Sequence, residues 1–214
     1  MEYIVKGLVL RSYNFKEKDR MYFVFSPNYG LIKTFAKSVR GNKSKLSGFL
    51  TIPNESIFQL ANSSSDISKI LQVKNINNYE NIFNNLDNFL IFSEVSEILL
   101  YVLNENVPEE NIYELSINFL NDLNDENIDI YKKKKIQLAY FVALLENLGF
   151  KPKNTTTLEP LLSKFVLLMF RNSYLINRDL MIKLRLKEKD FTNLKLWFHN
   201  YFENVLEKKI NSFL

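Results

Sequence analysis

Cysteine is absent from this 214-residue chain, which excludes disulfides and thiolate-bound metals alike and permits a reducing compartment. The single histidine, His199, leaves almost nothing for imidazole ligation, and it stands among Trp197, Phe198, Tyr201 and Phe202, as a packed side chain would rather than a catalytic base. No Gly-rich phosphate loop is present, so ATP hydrolysis is not expected. The longest apolar run, Leu138 to Leu145, is far short of the roughly 18 residues that suggest a membrane span. The opening M-E-Y-I-V-K-G lacks the basic stretch and apolar run of a secretory signal. A soluble cytoplasmic protein is expected, with no cofactor and no metal.

One further absence is regional. Between Asn81 and Ile130 there are 11 acidic residues and no Lys or Arg, whereas Met1 to Glu80 carries 12 basic against 6 acidic residues and Tyr131 to Leu214 carries 16 against 7. Such asymmetry points to separate surfaces for separate partners: a basic front suited to a polyanion and an acidic middle that would repel one. With 46% hydrophobic residues the chain can bury a real core.

The first third reads as strands. Tyr3 to Tyr13, Met21 to Phe25, Leu31 to Phe35, Glu55 to Leu60 and Ile67 to Val73 are candidates, and S-P-N-Y-G predicts a tight hairpin between the second and third. Four of the five glycines precede Thr51, as the turns and curved strands of a small barrel require. From about Tyr79 the period becomes helical. Helices are predicted over Phe89 to Leu103, from Pro108 to about Leu123, around Ile136 to Leu148 with a stop at Gly149, over Leu158 to Met169, and over Phe191 to Leu206. The strand-to-helix boundary falls near Asn75 to Glu80.

The stretch Lys33 to Lys45, K-T-F-A-K-S-V-R-G-N-K-S-K, has no acidic residue to neutralise it between Gly30 and Thr51. Uncompensated cations beside aromatic rings can attract phosphates and stack bases. Arg11, Lys18, Arg20, Lys33, Lys37, Arg40, Lys43 and Lys45 are the candidate phosphate contacts, and Tyr22, Tyr29 and Phe35 the candidate stacking rings. Two alternatives stand beside these: strand aromatics can fill the barrel core instead, and Lys18 and Arg20 can pair with Glu17 and Asp19 across their turn.

The segments G-L-V-L-R-S-Y-N-F-K-E-K-D-R from Gly7 to Arg20, F-S-P-N-Y-G-L-I-K-T-F-A-K, and S-K-L-S-G-F-L through Leu50 closely resemble the recombination-mediator family RecO. In that family the region is an OB-fold that binds DNA and a helical domain follows it. The resemblance implies an α+β multidomain protein, with an OB-fold β-barrel DNA-binding domain over 1–78 and an all-helical domain over 79–214 for partner binding and core packing. It further implies a non-catalytic mediator that binds single- and double-stranded DNA, anneals complementary strands and, with RecR, assists RecA loading on DNA coated by single-strand binding protein. The expected location is the cytoplasm, in association with the nucleoid. Relatives hold the acidic, apolar C-terminal tail of single-strand binding protein on the helical domain, for which Arg171, Arg178, Lys183, Arg185 and Lys187 are the candidates here. Lys132 to Lys135 read instead as a solvated helix start.

Two departures from the family pattern matter. Ser38 stands where relatives usually have glycine after the A-K pair, with Gly41 three residues later, so a bend at a different place is expected. The four-cysteine zinc module that many relatives carry after L-G-F is absent, and K-P-K-N-T-T-T follows directly.

The rival reading is a metal-dependent nuclease using Glu94 and Glu97, or Glu110 and Glu114, at helical spacing. A second rival is an OB-fold module that binds RNA or bridges proteins.

Overall fold

A computed structural model describes residues 1–40, 50–62, 67–152, 155 and 157–212. Lys43 and Lys45 of the basic stretch lie outside the described residues.

Five strands, β1 (Glu2–Phe15), β2 (Asp19–Ser26), β3 (Gly30–Ala36), β4 (Asn54–Ala61) and β5 (Ser68–Asn78), close into a barrel in the order β1-β2-β3-β5-β4. All pairings are antiparallel except β3 with β5. Alternation along the strands fills the interior with Val5, Val9, Tyr22, Val24, Ala36, Phe58, Leu60 and Ile70. A bulge in β1 between Val9 and Arg11 shifts the register, and beyond it Arg11, Tyr13 and Phe15 face Phe23, Met21 and Asp19 of β2.

The predicted hairpin forms at Pro27 to Gly30. Gly30 has φ 65°, and a β-carbon there would collide with the Asn104 carbonyl oxygen, so glycine is required on both counts. The close approach exists because this hairpin is sewn to the helical region. Leu31 N–H donates to Asn104 O (3.1 Å), Asn106 N–H to Tyr29 O (2.9 Å) and Glu109 N–H to Pro27 O (3.0 Å).

Helices follow directly after β5: α1 (Glu80–Asn84), α2 (Leu86–Val102), α3 (Glu110–Asn124), α4 (Ile130–Asn147), α5 (Pro160–Met169), α6 (Tyr174–Lys183) and α7 (Glu188–Leu206). Local signals set their ends. The side chains of Asn85 and Asp129 cap α2 and α4 by accepting from Asn88 N–H (3.1 Å) and Lys132 N–H (2.9 Å), and α4 stops just before Gly149 at φ 78°. Every residue from Lys135 to Leu145 is buried, so α4 is the central helix.

The main core is continuous with the barrel wall. Leu8, Leu10, Phe25 and Leu31, on the outside of the barrel, pack in one cluster with α2, α3, α4 and α7. Polar contacts cross the same seam: Ser96 Oγ donates to Leu10 O (2.9 Å), and Tyr113 Oη donates to buried Glu55 (3.0 Å), which also meets Lys6 (2.9 Å) and Asn77 (2.6 Å). Burial, reinforced by the Glu55 carboxylate, pushes the Tyr113 hydroxyl far above the ordinary tyrosine range and keeps it a donor.

The lysine run departs from expectation. Lys133 and Lys135 are buried, and Lys135 Nζ donates to the carbonyls of Ile182 (3.3 Å) and Leu184 (2.7 Å), satisfying the end of α6. Burial lowers the pKa of both ammonium groups, nearby carboxylates including Asp129 oppose that shift, and the long aliphatic stems suit both positions to a buried face.

Candidate nucleic-acid interface

The barrel end formed by the β1–β2 turn and the segment after β3 gathers the exposed cations. Ser38 N–H donates to Asp19 Oδ1 (2.8 Å), Arg40 N–H to Lys18 O (3.1 Å), and the Arg40 guanidinium to Glu17 O (3.2 Å). Buried Val39 anchors the segment in the barrel core, leaving Lys37 and Arg40 exposed on either side of it and Lys18 exposed on the neighbouring turn. Backbone bonds therefore hold three cationic side chains on one rim, and the acidic Asp19 between them is occupied by a backbone donor. A frame already fixed spares the backbone part of the ordering cost on meeting phosphates, leaving that of the side chains.

Gly41, the one glycine of the basic stretch, lies outside the described residues. The chain bends at Ser38 itself, which has φ 52°. A non-glycine residue in that conformation is strained, so Ser38→Gly is expected to stabilise the fold by about 0.5–1 kcal/mol, read as a rise of roughly 2–3 °C in the melting midpoint.

Other predicted contacts are placed elsewhere. Arg20 is half-buried, its Nε enclosed and its guanidinium beside the Tyr22 hydroxyl, so it lines the barrel mouth rather than the rim. Tyr22 is 1% exposed and fills the barrel, which leaves no ring face for a base. Burial raises the pKa of its hydroxyl, with Arg20 opposing. Lys33 pairs with Glu105 (2.6 Å) in the link after α2, so its charge is matched within the fold. Tyr29 is exposed but sits at the hairpin tip against Tyr3 (5.9 Å), the full run of β3, about 26 Å, from Lys37. Phe35 is half-buried on the outer face, beside Phe15 (6.3 Å). Arg11 is exposed on the same face, at the edge of a groove of about 570 Å³ lined by Tyr13, Phe23, Leu31 and Leu103. Tyr13, Phe15 and Phe23 were not singled out from sequence; the signal was their alternation with Arg11 along β1 and across to β2.

Among the helical candidates, Arg178 is committed to the fold. Its Nε and Nη2 donate to the two Asp122 oxygens at 2.6 Å each, joining α6 to α3, and Nη1 meets Asp179 (2.9 Å). Those carboxylates hold the guanidinium above its ordinary pKa. Arg171, Lys183, Arg185 and Lys187 are exposed, and Leu184 and Leu186 between the last three pack toward the core, so these three cations share one edge of the α6–α7 link.

Of the nuclease carboxylates, Glu94 and Glu97 are engaged within the fold, whereas Glu110 and Glu114 are exposed on α3. Buried Glu94 accepts from Lys195 Nζ (2.6 Å) and Gln137 Nε2 (2.7 Å), while Glu97 holds the C-terminal segment through Asn211 N–H (3.1 Å) and Ser212 N–H (2.8 Å). Among the described residues no group of three His, Asp or Glu side chains is arranged to hold a metal ion. His199 faces Glu203 (3.3 Å). Among them, too, no helix is long and apolar enough to cross a membrane.

Comparison with known proteins bears on the same region. Residues 1–79 match the family model described as Recombination protein O N terminal, which spans the barrel from β1 through β5. A protein of Dehalococcoides mccartyi (strain CBDB1) named DNA repair protein RecO is 30% identical over 153 residues, covering 71% of this chain and 58% of its own length. One of the same name from Mycoplasma mycoides is 27% identical, covering 69% and 59%. The chain thus spans less than two thirds of the length of these curated relatives. The barrel thus matches the N-terminal model of the RecO family from end to end, and proteins named DNA repair protein RecO align with most of the chain.

Proposed function

We propose that this chain is a DNA repair and recombination protein that binds DNA through the barrel rim, with residues 1–78 as the DNA-binding domain and 79–214 as a helical domain for partners. The observation that carries this reading is the convergence of Lys18, Lys37 and Arg40 on one rim, held there by the Asp19–Ser38 and Lys18–Arg40 backbone contacts. Arg11 extends the positive surface along β1. The names of the relatives supply the biological setting.

A cationic rim lowers the repulsion between two phosphate backbones over distances comparable to the Debye length, about 8 Å at physiological salt. It thereby favours pairing of complementary strands without breaking a bond. The function proposed is strand annealing on DNA coated by single-strand binding protein and, with RecR, assistance to RecA loading. Exposed Arg171, Lys183, Arg185 and Lys187 offer positive charge to an acidic partner tail. The cleft between α7 and the segment just before α5, lined by Glu159 and Glu203, has the wrong charge for one.

The test is annealing of labelled complementary strands precoated with single-strand binding protein, with magnesium present. The reading expects faster duplex formation and intact strands. Unchanged annealing rates, or shortened strands, contradict it.

A further inference from the structure

Two buried polar side chains, Asn88 and Lys133, line one pocket of about 390 Å³ between the α1–α2 corner and the start of α4. Each is 5% exposed. Asn88 Nδ2 donates to Asn81 O (3.1 Å), but among the described residues no donor meets Asn88 Oδ1 and no acceptor meets Lys133 Nζ. Lys135, two positions on, shows the contrast, since two backbone carbonyls hold its ammonium. A buried polar group without a partner costs stability, so a donor and an acceptor left open on the same pocket point to a ligand that supplies both.

Charge around the pocket decides what kind of acceptor suits Lys133. Asp125, Glu126 and Asp129 stand within electrostatic reach of its ammonium and oppose the fall in pKa that burial causes, and exposed Asp87 lies in the first turn of α2. From Asn81 to Ile130 the chain has no Lys or Arg to offset them. An anionic ligand would be repelled here, whereas a neutral carbonyl would not. A carbonyl accompanied by an N–H for Asn88 Oδ1 is a peptide group. Apolar contact is on offer as well: Ile128 and Ile130 line the pocket, and Phe83 and Leu86, on either side of Asn84 and Asn85 in the chain, are 57% and 73% exposed.

We infer that this pocket docks an extended, positively charged peptide segment of a protein partner. One peptide group of that segment accepts from Lys133 Nζ and donates to Asn88 Oδ1, while its Lys or Arg side chains meet Glu126 and the neighbouring carboxylates. Charge complementarity selects a basic occupant, and the buried donor and acceptor select its backbone. The inference does not depend on the DNA-binding reading. It gives the acidic middle of the chain a partner of its own, opposite in charge to one that would suit the cationic edge of the α6–α7 link.

Amide spectra of the full nitrogen-15-labelled chain at about 50 mM salt, titrated with a blocked pentapeptide alternating lysine and leucine and with one alternating glutamate and leucine, test the inference. The lysine peptide is expected to shift amides in 81–88 and 126–133, and the glutamate peptide to leave them in place. Lys133→Met keeps the aliphatic stem and removes the ammonium, so the variant is expected to melt no lower than the wild type and to bind the lysine peptide about tenfold or more weakly. Shifts absent from those two segments, or an equal response to both peptides, overturn the inference on the unaltered protein, however the variant folds. Unchanged affinity of the variant overturns it too. So does a variant that fails to fold or melts roughly 5 °C or more below the wild type, since Lys133 would then serve the fold.

Discussion

Replacing Lys18, Lys37 and Arg40 together with alanine is expected to weaken DNA binding by about a hundredfold or more at 0.1 M salt, and to make its salt dependence shallower by about 2 units of slope on single strands. The magnitude follows from counterion release: each phosphate neutralised contributes about 0.7 to the slope on a single strand and about 0.9 on a duplex, so three lost contacts compound. The fold should survive. All three side chains are exposed, and the one described side-chain bond lost, from Arg40 to Glu17 O, is worth roughly 1 kcal/mol. The backbone links from Ser38 and Arg40, and the Val39 anchor, stay in place. Fluorescence anisotropy over a salt series measures both effects, and unchanged affinity in a folded variant refutes the assignment of the rim.

Phe141→Ala should cost about 3–5 kcal/mol of stability, lowering the melting midpoint by roughly 10 °C or more. Phe141 is 0% exposed in the middle of α4, against Phe202 at 5.2 Å and Phe198 at 6.0 Å of α7, so truncation leaves a cavity that rigid helices on both sides cannot close. The consequence should reach the barrel. Leu8, Leu10, Phe25 and Leu31 belong to the same apolar cluster, and the hairpin at Gly30 is bonded to the α2–α3 link. Loss of barrel and helical signals in one transition, by circular dichroism and by tyrosine fluorescence, is the expected result. Two separated transitions, with the barrel keeping its native midpoint, would show that the shared core does not couple the two halves.

The fold was legible because its signals are local. Pro27 with Gly30 announces the hairpin, Gly149 ends α4, and the stripe through Phe191, Leu194, Phe198 and Phe202 announces α7. α6 was missed because one of its few buried positions is Asn177, whose Nδ2 donates to Met169 O (2.8 Å); a polar residue doing structural work breaks the apolar period. α1 is a single short turn that buries only Ile82, too little to show a period.

The site was less legible, for a different reason. Sequence gives the charge of Lys33, Arg20 and Arg178 but not the carboxylate or hydroxyl that folding brings to each: Glu105 and Asp122 come from other elements, and Tyr22 meets Arg20 from two residues along the same strand. Lys133 and Lys135 read as solvent-facing for the same reason: the carbonyls that hold Lys135 lie in the segment ending α6. Lys18, Lys37 and Arg40 are separated by up to 22 positions in sequence and share a rim only through the β1–β2–β3 register. The outer aromatic face needs that register too, since the β1 bulge decides which way Arg11, Tyr13 and Phe15 point.

The central claim is that the barrel rim engages DNA through its phosphates, and the direct measurement is the affinity of the unaltered protein for a single strand between 50 and 200 mM salt, a range in which counterion release dominates such binding. The account predicts a straight fall of log affinity with log salt, with a slope of about −2 or steeper. Affinity that does not change across that range, or no binding at its lower end, contradicts it.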